Sequence, residues 1–267
     1  MADHVTTETH GAVRVIRIDR AEAMNALTGA MFHAMRDAFA EAGRDPAIRA
    51  VLFCSTGKAF SVGADLRDPM LGFDLPPEEK ADACRATLGG LMNGLISDIA
   101  ACPRPVVTAI NGTCAGGGVG LALAGDLAVM GDGARLMLGF VPVLALTPDL
   151  GATWQLTRKL GRARALGLMM TGRPIPAKMA QDLGLVWEVA PDDDLFDAAL
   201  ALATELAEGP TNAQMTLRSL VDSAEVNDLT AQLAAECEAQ ASRSNDPEVA
   251  EAVAAFMAKR PPDFSKL

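Results

Sequence analysis

The chain has 267 residues, is 50% hydrophobic and carries a formal net charge of −11. That is room for one large domain or a domain with a smaller appendage; with no run of Lys or Arg, the acidic balance excludes a nucleic-acid partner, because phosphate binding needs a concentrated basic face. Five cysteines without C-x-x-C spacing fit a reducing compartment without structural zinc, and three histidines confined to His4, His10 and His33 exclude a His-based triad or metal centre.

Residues 12–18, "AVRVIRI", read as a strand after the Gly11 turn. Thr28 can cap a helix through Ala42, with Met31, Met35, Phe39 and Ala42 at helical spacing. "AVLFC" (50–54) is a buried strand that opens into the loop "STGKAFSVGADL". A loop with Pro69, Gly72, Pro76 and Pro77 leads to a helix from Pro77 to Ala101. "PVVTAI" (105–110) is a second buried strand, entering "NGTCAGGG" and an apolar helix from Gly117. "LAVM" (127–130) and "RLMLG" (135–139) are further strands, and from Gly151 onward the chain reads as helical. Asp246-Pro247-Glu248 supplies a cap, a first-position Pro and a first-turn acid for a late helix. An α/β part, 1–208, thus precedes a helical region, 209–267, with the break at Gly209-Pro210.

Two buried strands each feed a small-residue loop, "FSVGADL" and "AGGGVGL". Two backbone N–H groups converging from such loops make an oxyanion hole, which holds charge developing on a carbonyl oxygen. The second donor also opens a helix, whose dipole favours negative charge. Close packing or nucleotide binding is the competing reading of a glycine-rich turn after a strand. The dinucleotide fingerprint fails, because Gly116, Gly118 and Leu121 stand where three glycines are needed, and no GK[ST] follows.

The ordered segments "DRAEAMNALT" (19–28), "GKAFSVGADL" (57–66), "PVVTAINGTCAGGGVGLALAGDLAV" (105–129), "LTPDLGATWQLTRKLG" (146–161), "MTGRPIPAKMAQDLGLV" (170–186) and "AFMAKRPPDF" (255–264) resemble the enoyl-CoA hydratase/isomerase (crotonase) superfamily from residue 12 onward. The resemblance implies a crotonase (ClpP-like) spiral of ββα units with a helical C-terminal trimerisation region, giving a homotrimer or a hexamer of paired trimers. It implies an acyl-CoA thioester substrate, coenzyme A being part of that substrate, with no separate cofactor, no metal, no nucleic acid and no membrane partner. Its oxyanion donors fall on the N–H groups of Ala64 and Gly117. Around them Gly63, Asp65, Leu66, Gly116 and Gly120 line the thioester, with Asp65 holding the loop through neighbouring N–H groups. Coenzyme A would run along Ala21, Asn25, Ala26 and Leu27, near Arg20, and past Lys58, Ala59 and Phe60. Phe256 and Lys259 would come from a neighbouring subunit. Phe60, Phe73 and Phe140 are candidates for the acyl pocket.

Family hydratases resemble one another in two glutamates, and the matching positions here are Gly120 and Val141. What remains is Asp149, in the "PD-x-G" arrangement that resembles several isomerases and some dehalogenases. The residue has two readings: a helix N-cap, or a base whose pKa burial would raise. Double-bond isomerisation of an enoyl-CoA through a thioester enolate is therefore the leading expectation. The alternatives are an enoyl-CoA hydratase with its acid relocated to Asp149, a dehalogenase with Asp149 as nucleophile, and a non-catalytic acyl-CoA-binding member. The composition points to a bacterial cytoplasm; Ser265-Lys266-Leu267 would be a peroxisomal address in a eukaryote.

Overall fold

The structure is a computed structural model that describes residues 4–265 and residue 267. Strands β1 (Val5–His10) and β2 (Val13–Ile18) form an antiparallel hairpin about Gly11, so the first strand expected from sequence has a partner that sequence reading missed. Its outer member is largely exposed and polar, and carries no burial signal. Helix α1 (Gly29–Arg44) follows, with the Thr28 hydroxyl accepting from the Met31 N–H at 3.4 Å. Its inner face buries Met31, Phe32, Met35, Ala38, Phe39 and Ala42.

Three β-β-α turns come next. The first is β3 (Ala50–Ser55), β4 (Ala59–Ser61) and a long helix. That helix runs as α2 (Pro77–Ala86) and α3 (Asn93–Ala100), joined through a π-helical stretch over 87–92. The second is β5 (Val106–Ile110), β6 (Thr113–Ala115) and α4 (Gly117–Ala122). The third is β7 (Leu127–Gly131), β8 (Arg135–Met137), a π-helical turn over Phe140–Leu144, then α5 (Ala152–Leu160) and α6 (Arg162–Thr171). The first strands of each turn pair in parallel within a six-stranded sheet, ordered β1-β2-β3-β5-β7 and a final edge strand, Glu188–Ala190. The second strands pair in parallel in a smaller sheet, β4-β6-β8, with Ile175–Pro176 at its edge. This is the expected spiral.

The two edge strands correct the reading that everything after Gly151 is helical. Strand β9 (Ile175–Pro176) precedes α7 (Ala177–Asp182), and β10 is Glu188–Ala190. Both are too short for period-two patterning to register. Helix α8 (Leu195–Glu208) then crosses the outer face of the larger sheet. Its Ala199, Ala203 and Ala207 lie against Val13, Val15, Leu52, Val107 and Val129.

Helix α8 ends at Gly209-Pro210, and α9 (Thr211–Ala224), α10 (Leu229–Arg243) and α11 (Pro247–Met257) form the tail. Arg218 fastens α9 to the core, donating to the carbonyls of Cys102 (2.7 Å) and Arg104 (2.9 Å) and pairing with Asp126. Among the described residues no helix is long and apolar enough to cross a membrane. Of the Ser265-Lys266-Leu267 signal, Lys266 lies outside the described residues.

Candidate active site

Because β4, β6 and β8 are parallel neighbours, the loops leaving their C-terminal ends lie side by side. Ligands of parallel α/β sheets gather at such ends. The first loop carries Gly63-Ala64-Asp65, the second Gly116-Gly117, and the third leads through Phe140 to Asp149. A Cβ built on Gly63 would sit 3.2 Å from the Gly117 nitrogen, which measures how closely the first two approach. Gly63 also has φ +91°, a conformation that side chains resist.

Ala64 is held by a bridge to Leu27. The Leu27 N–H donates to the Gly63 carbonyl (2.9 Å), and the Asp65 N–H donates to the Leu27 carbonyl (2.8 Å). These bonds use the groups on either side of Ala64, and its own N–H has no acceptor among the described residues. Gly117 is the first residue of α4, so its N–H lacks an intrahelical acceptor. The preceding Gly116 N–H is taken by the Met137 carbonyl at 2.9 Å. Two main-chain donors are thus left free on adjacent loops.

A hydrogen-bonded platform supports them. The buried Asn25 side chain donates to the carbonyls of Thr56 and Ala59, both at 2.8 Å, and accepts from the Arg20 N–H at 2.8 Å. Ser61 Oγ donates to the Asn25 carbonyl (2.8 Å) and accepts from the Gly63 N–H (3.1 Å). Arg20 donates to Asp65 Oδ2 at 2.9 Å, and Asp65 Oδ1 accepts from the Arg67 N–H at 3.1 Å. These bonds, the Arg20 guanidinium first, hold the Asp65 carboxyl at about 2. Asp65 therefore anchors its loop as expected, with an arginine added to the N–H partner.

Asp149 is the opposite case. Its Oδ1 is buried without a hydrogen-bond partner and lies 3.0 Å from where a Cβ on Gly117 would be. Burial pushes its pKa up to about 6, opposed only by its own N–H. It does not cap α5. The N-cap residue is Gly151, no side chain caps the helix, and it is the Asp149 backbone carbonyl that accepts from Ala152 (2.9 Å). A carboxylate with raised basicity and one bare oxygen, beside a loop with a free main-chain N–H, has the chemistry to accept a proton.

Two of the expected lining residues are corrected. Phe60 is fully buried and stacks edge-to-face on Phe53 at 5.5 Å, which in turn stacks on Phe39, so its ring is part of the core. Gly120 lies beneath Leu150, whose carbonyl oxygen would be 2.3 Å from a Cβ there. The neighbouring main chain fills the space a glutamate would need. Val141, the other hydratase position, sits exposed on the π-helical turn.

The Asn25 side chain is spent inside the platform, and Ala26, Leu27 and Ala59 are buried, leaving their backbone alone to meet a ligand. Ala21, Lys58 and Leu66 are exposed, and Ala21 packs on Gly57 next to Lys58. The Phe140 ring reaches Gly116, Cζ lying 3.9 Å from a Cβ built there, while Phe73 is exposed. Phe256 is 81% exposed at the end of α11; neither it nor Lys259 is hydrogen-bonded or ion-paired to the three loops. Sequence reading missed Ser61 and Leu150. The paired glycines 117 and 120, one helical turn apart, were the signal that something presses on that face.

The family model for enoyl-CoA hydratase/isomerase matches residues 8–266. A 1,2-epoxyphenylacetyl-CoA isomerase of Escherichia coli is 33% identical over 265 residues, covering 99% of both chains. A protein of Rhodobacter capsulatus named "Probable enoyl-CoA hydratase" is 36% identical over 259 residues, covering 97% of this chain and 96% of its own. Among solved structures, an enoyl-CoA hydratase from Polaromonas sp. JS666 superposes with a TM-score of 0.89 at 32% identity, covering 97% of this chain and 98% of that one.

Proposed function

The chain belongs to the enoyl-CoA hydratase/isomerase family of the crotonase superfamily, and within it we propose that it is an enoyl-CoA isomerase with Asp149 as its single proton carrier. The observation that carries this reading is the lone Asp149 carboxylate, its Oδ1 unpaired against Gly117, with both glutamate positions lacking an acid. Hydration needs one group to activate water and another to manage the proton. Isomerisation needs one group, used twice.

The thioester carbonyl of a 3-enoyl-CoA points between the Ala64 and Gly117 N–H groups. Asp149 takes a proton from C2, and the electron pair moves onto the thioester oxygen as a conjugated dienolate. The same proton returns at C4, so the double bond shifts from C3 to C2 with no water consumed. Each N–H contributes about 2.7–4 kcal/mol to holding the developing oxyanion. Coenzyme A runs over the backbone of 21–27 and past Lys58. Phe256 and Lys259 reach it from the neighbouring subunit of a trimer or a pair of trimers.

The test uses the purified chain with 3-enoyl-CoA and 2-enoyl-CoA of several lengths, and with 1,2-epoxyphenylacetyl-CoA, the compound in one relative's name. Absorbance of the conjugated thioester is followed for wild type and Asp149→Asn. Conversion of 3-enoyl-CoA that is lost in the variant is the expected result. Conversion untouched by Asp149→Asn removes the base, hydration of 2-enoyl-CoA favours a hydratase, and binding without any turnover favours a carrier.

A further inference from the structure

Leu150 occupies a backbone conformation that its side chain resists. Its φ is +48° and that of Gly151 is +75°, beneath the hydrogen bond from Ala152 N–H to the Asp149 carbonyl. Two left-handed central residues under such a bond mark a type I′ turn, where Asn, Asp and Gly are the usual occupants. A branched aliphatic side chain there is strained, and strain of this kind persists only where surrounding contacts over-determine it.

Those contacts lie on α4. Leu150 Cδ1 would be 2.9 Å from a Cβ on Gly117, and its own Cβ 3.0 Å from a Cβ on Gly120. Leu150 therefore spans one turn of the helix, from the oxyanion donor to the position where family hydratases carry an acid, and only glycines admit it. On the other side Ile96 of α3 closes on the turn, its Cγ2 3.7 Å from a Cβ on Gly151. Leu150 is 1% exposed. No charged side chain among the described residues contributes to the raised basicity of Asp149, so burial by its apolar neighbours is what sets it.

We propose that Leu150 is a positioning residue that clamps the Asp149 carboxylate over Gly117 and shuts water away from it, so that the proton lifted from the substrate returns to the substrate. The chemistry rests on the isomerase reading; the geometry does not. Leucine at this turn is what commits the site to proton transfer within the substrate and away from addition of water.

Leu150→Gly is the decisive variant. Glycine accepts a positive φ without strain, so the turn keeps its conformation while the side chain is gone, and the cavity left behind lowers Tm without bearing on the readouts below. The Asp149 carboxyl is titrated by 13C NMR in the ligand-free chain, its signal identified by its loss in Asp149→Asn. Turnover of 3-enoyl-CoA is measured in deuterium oxide. The expected result is a midpoint at least about one unit lower, a kcat lower by about tenfold with KM little changed, and several-fold more solvent deuterium in the product. Leu150→Met, which keeps the bulk, should restore most of the midpoint and of the proton retention. A role confined to stability would lower Tm and move none of these. A wild-type titration in Leu150→Gly, or a shifted titration with wild-type deuterium uptake, overturns the inference. If the wild type isomerises nothing, the reaction reading fails, and the titration alone still judges the shielding.

Discussion

The site has two halves built on opposite principles. The Ala64–Gly117 half is main chain, bound into a net in which Asn25, Ser61, Arg20 and Asp65 make several hydrogen bonds each. The Asp149 half is one side chain with a partnerless oxygen, carried on a turn with two consecutive positive φ angles. Fixed dipoles have no protonation state to control, so they can be satisfied and rigid. A base must be held short of its preferred ionisation, and that leaves it unpaired and costs stability. One half contributes to the fold; the other is maintained by it.

The largest test of that contrast is Asp149→Asn, which should lower kcat by about 10²–10⁴-fold and yet raise Tm near neutrality. A folded-state pKa of about 6 against an ordinary 3.8 means the native chain binds the proton more tightly than the unfolded one. Ionised Asp149 therefore destabilises the fold fully above pH 6, and the penalty fades as pH falls from 6 towards 3.8. Its upper bound is about 3 kcal/mol. Thermal melts of wild type and variant at several pH values should converge in acid, and the kcat/KM profile of the wild type, which reports the free enzyme, should fall as pH drops through about 6. A variant that loses activity without gaining stability at pH 8 would break the contrast.

The donor half is tested by Ala64→Pro, which removes one N–H that has no acceptor among the described residues. Turnover should fall by about 10²–10³-fold, with the far-ultraviolet spectrum kept. Asn25→Ala should act differently, leaving the Arg20 N–H and the Thr56 carbonyl unpaired, while the Ala59 carbonyl keeps the Ser55 hydroxyl at 3.1 Å. A loss of about 2–6 kcal/mol in urea unfolding is expected, at about 1–3 kcal/mol for each of the two groups left unpaired.

The same contrast explains what could be read from sequence. The two loops of the proposed donor half were legible because close main-chain approach leaves a mark: glycine and alanine stand where a side chain would block access, after buried strands with continuous apolar runs. Asp149 was visible as a residue, while its role was open, because an aspartate before a helix serves equally as a cap. The structure removes the cap, by giving Ala152 to the carbonyl and leaving Oδ1 bare. Phe60 misled because an aromatic near a ligand loop and an aromatic in the core look alike in one dimension. The short strands β6, β9 and β10 had too few residues to show alternation, and Leu150 gives no local sign of a positive φ.

The smallest expected effect concerns two arginines on one carboxylate. Arg20 is 18% exposed, bonds Asp65 Oδ2 and the Ala26 carbonyl at 2.9 and 2.8 Å, and so ties the strip before α1 to the oxyanion loop. Arg67 is 85% exposed, and its Nε reaches Asp65 Oδ1 only at 3.3 Å. Solvent screens the second pair, and ordering a long exposed side chain offsets most of what Coulomb attraction gives it. Arg67→Ala should therefore change stability by no more than about 0.5 kcal/mol, since the Arg67 N–H that also bonds Asp65 is main chain and survives the substitution. Arg20→Ala should cost clearly more and should also lower kcat, because it loosens the loop that aims Ala64. The difference should shrink as pH falls from 3.8 towards 2, where protonation of Asp65 removes the charge that Arg20 binds. Equal losses from the two substitutions would mean that Asp65 is held by charge at large, and that the buried guanidinium has no special part in aiming the oxyanion donor.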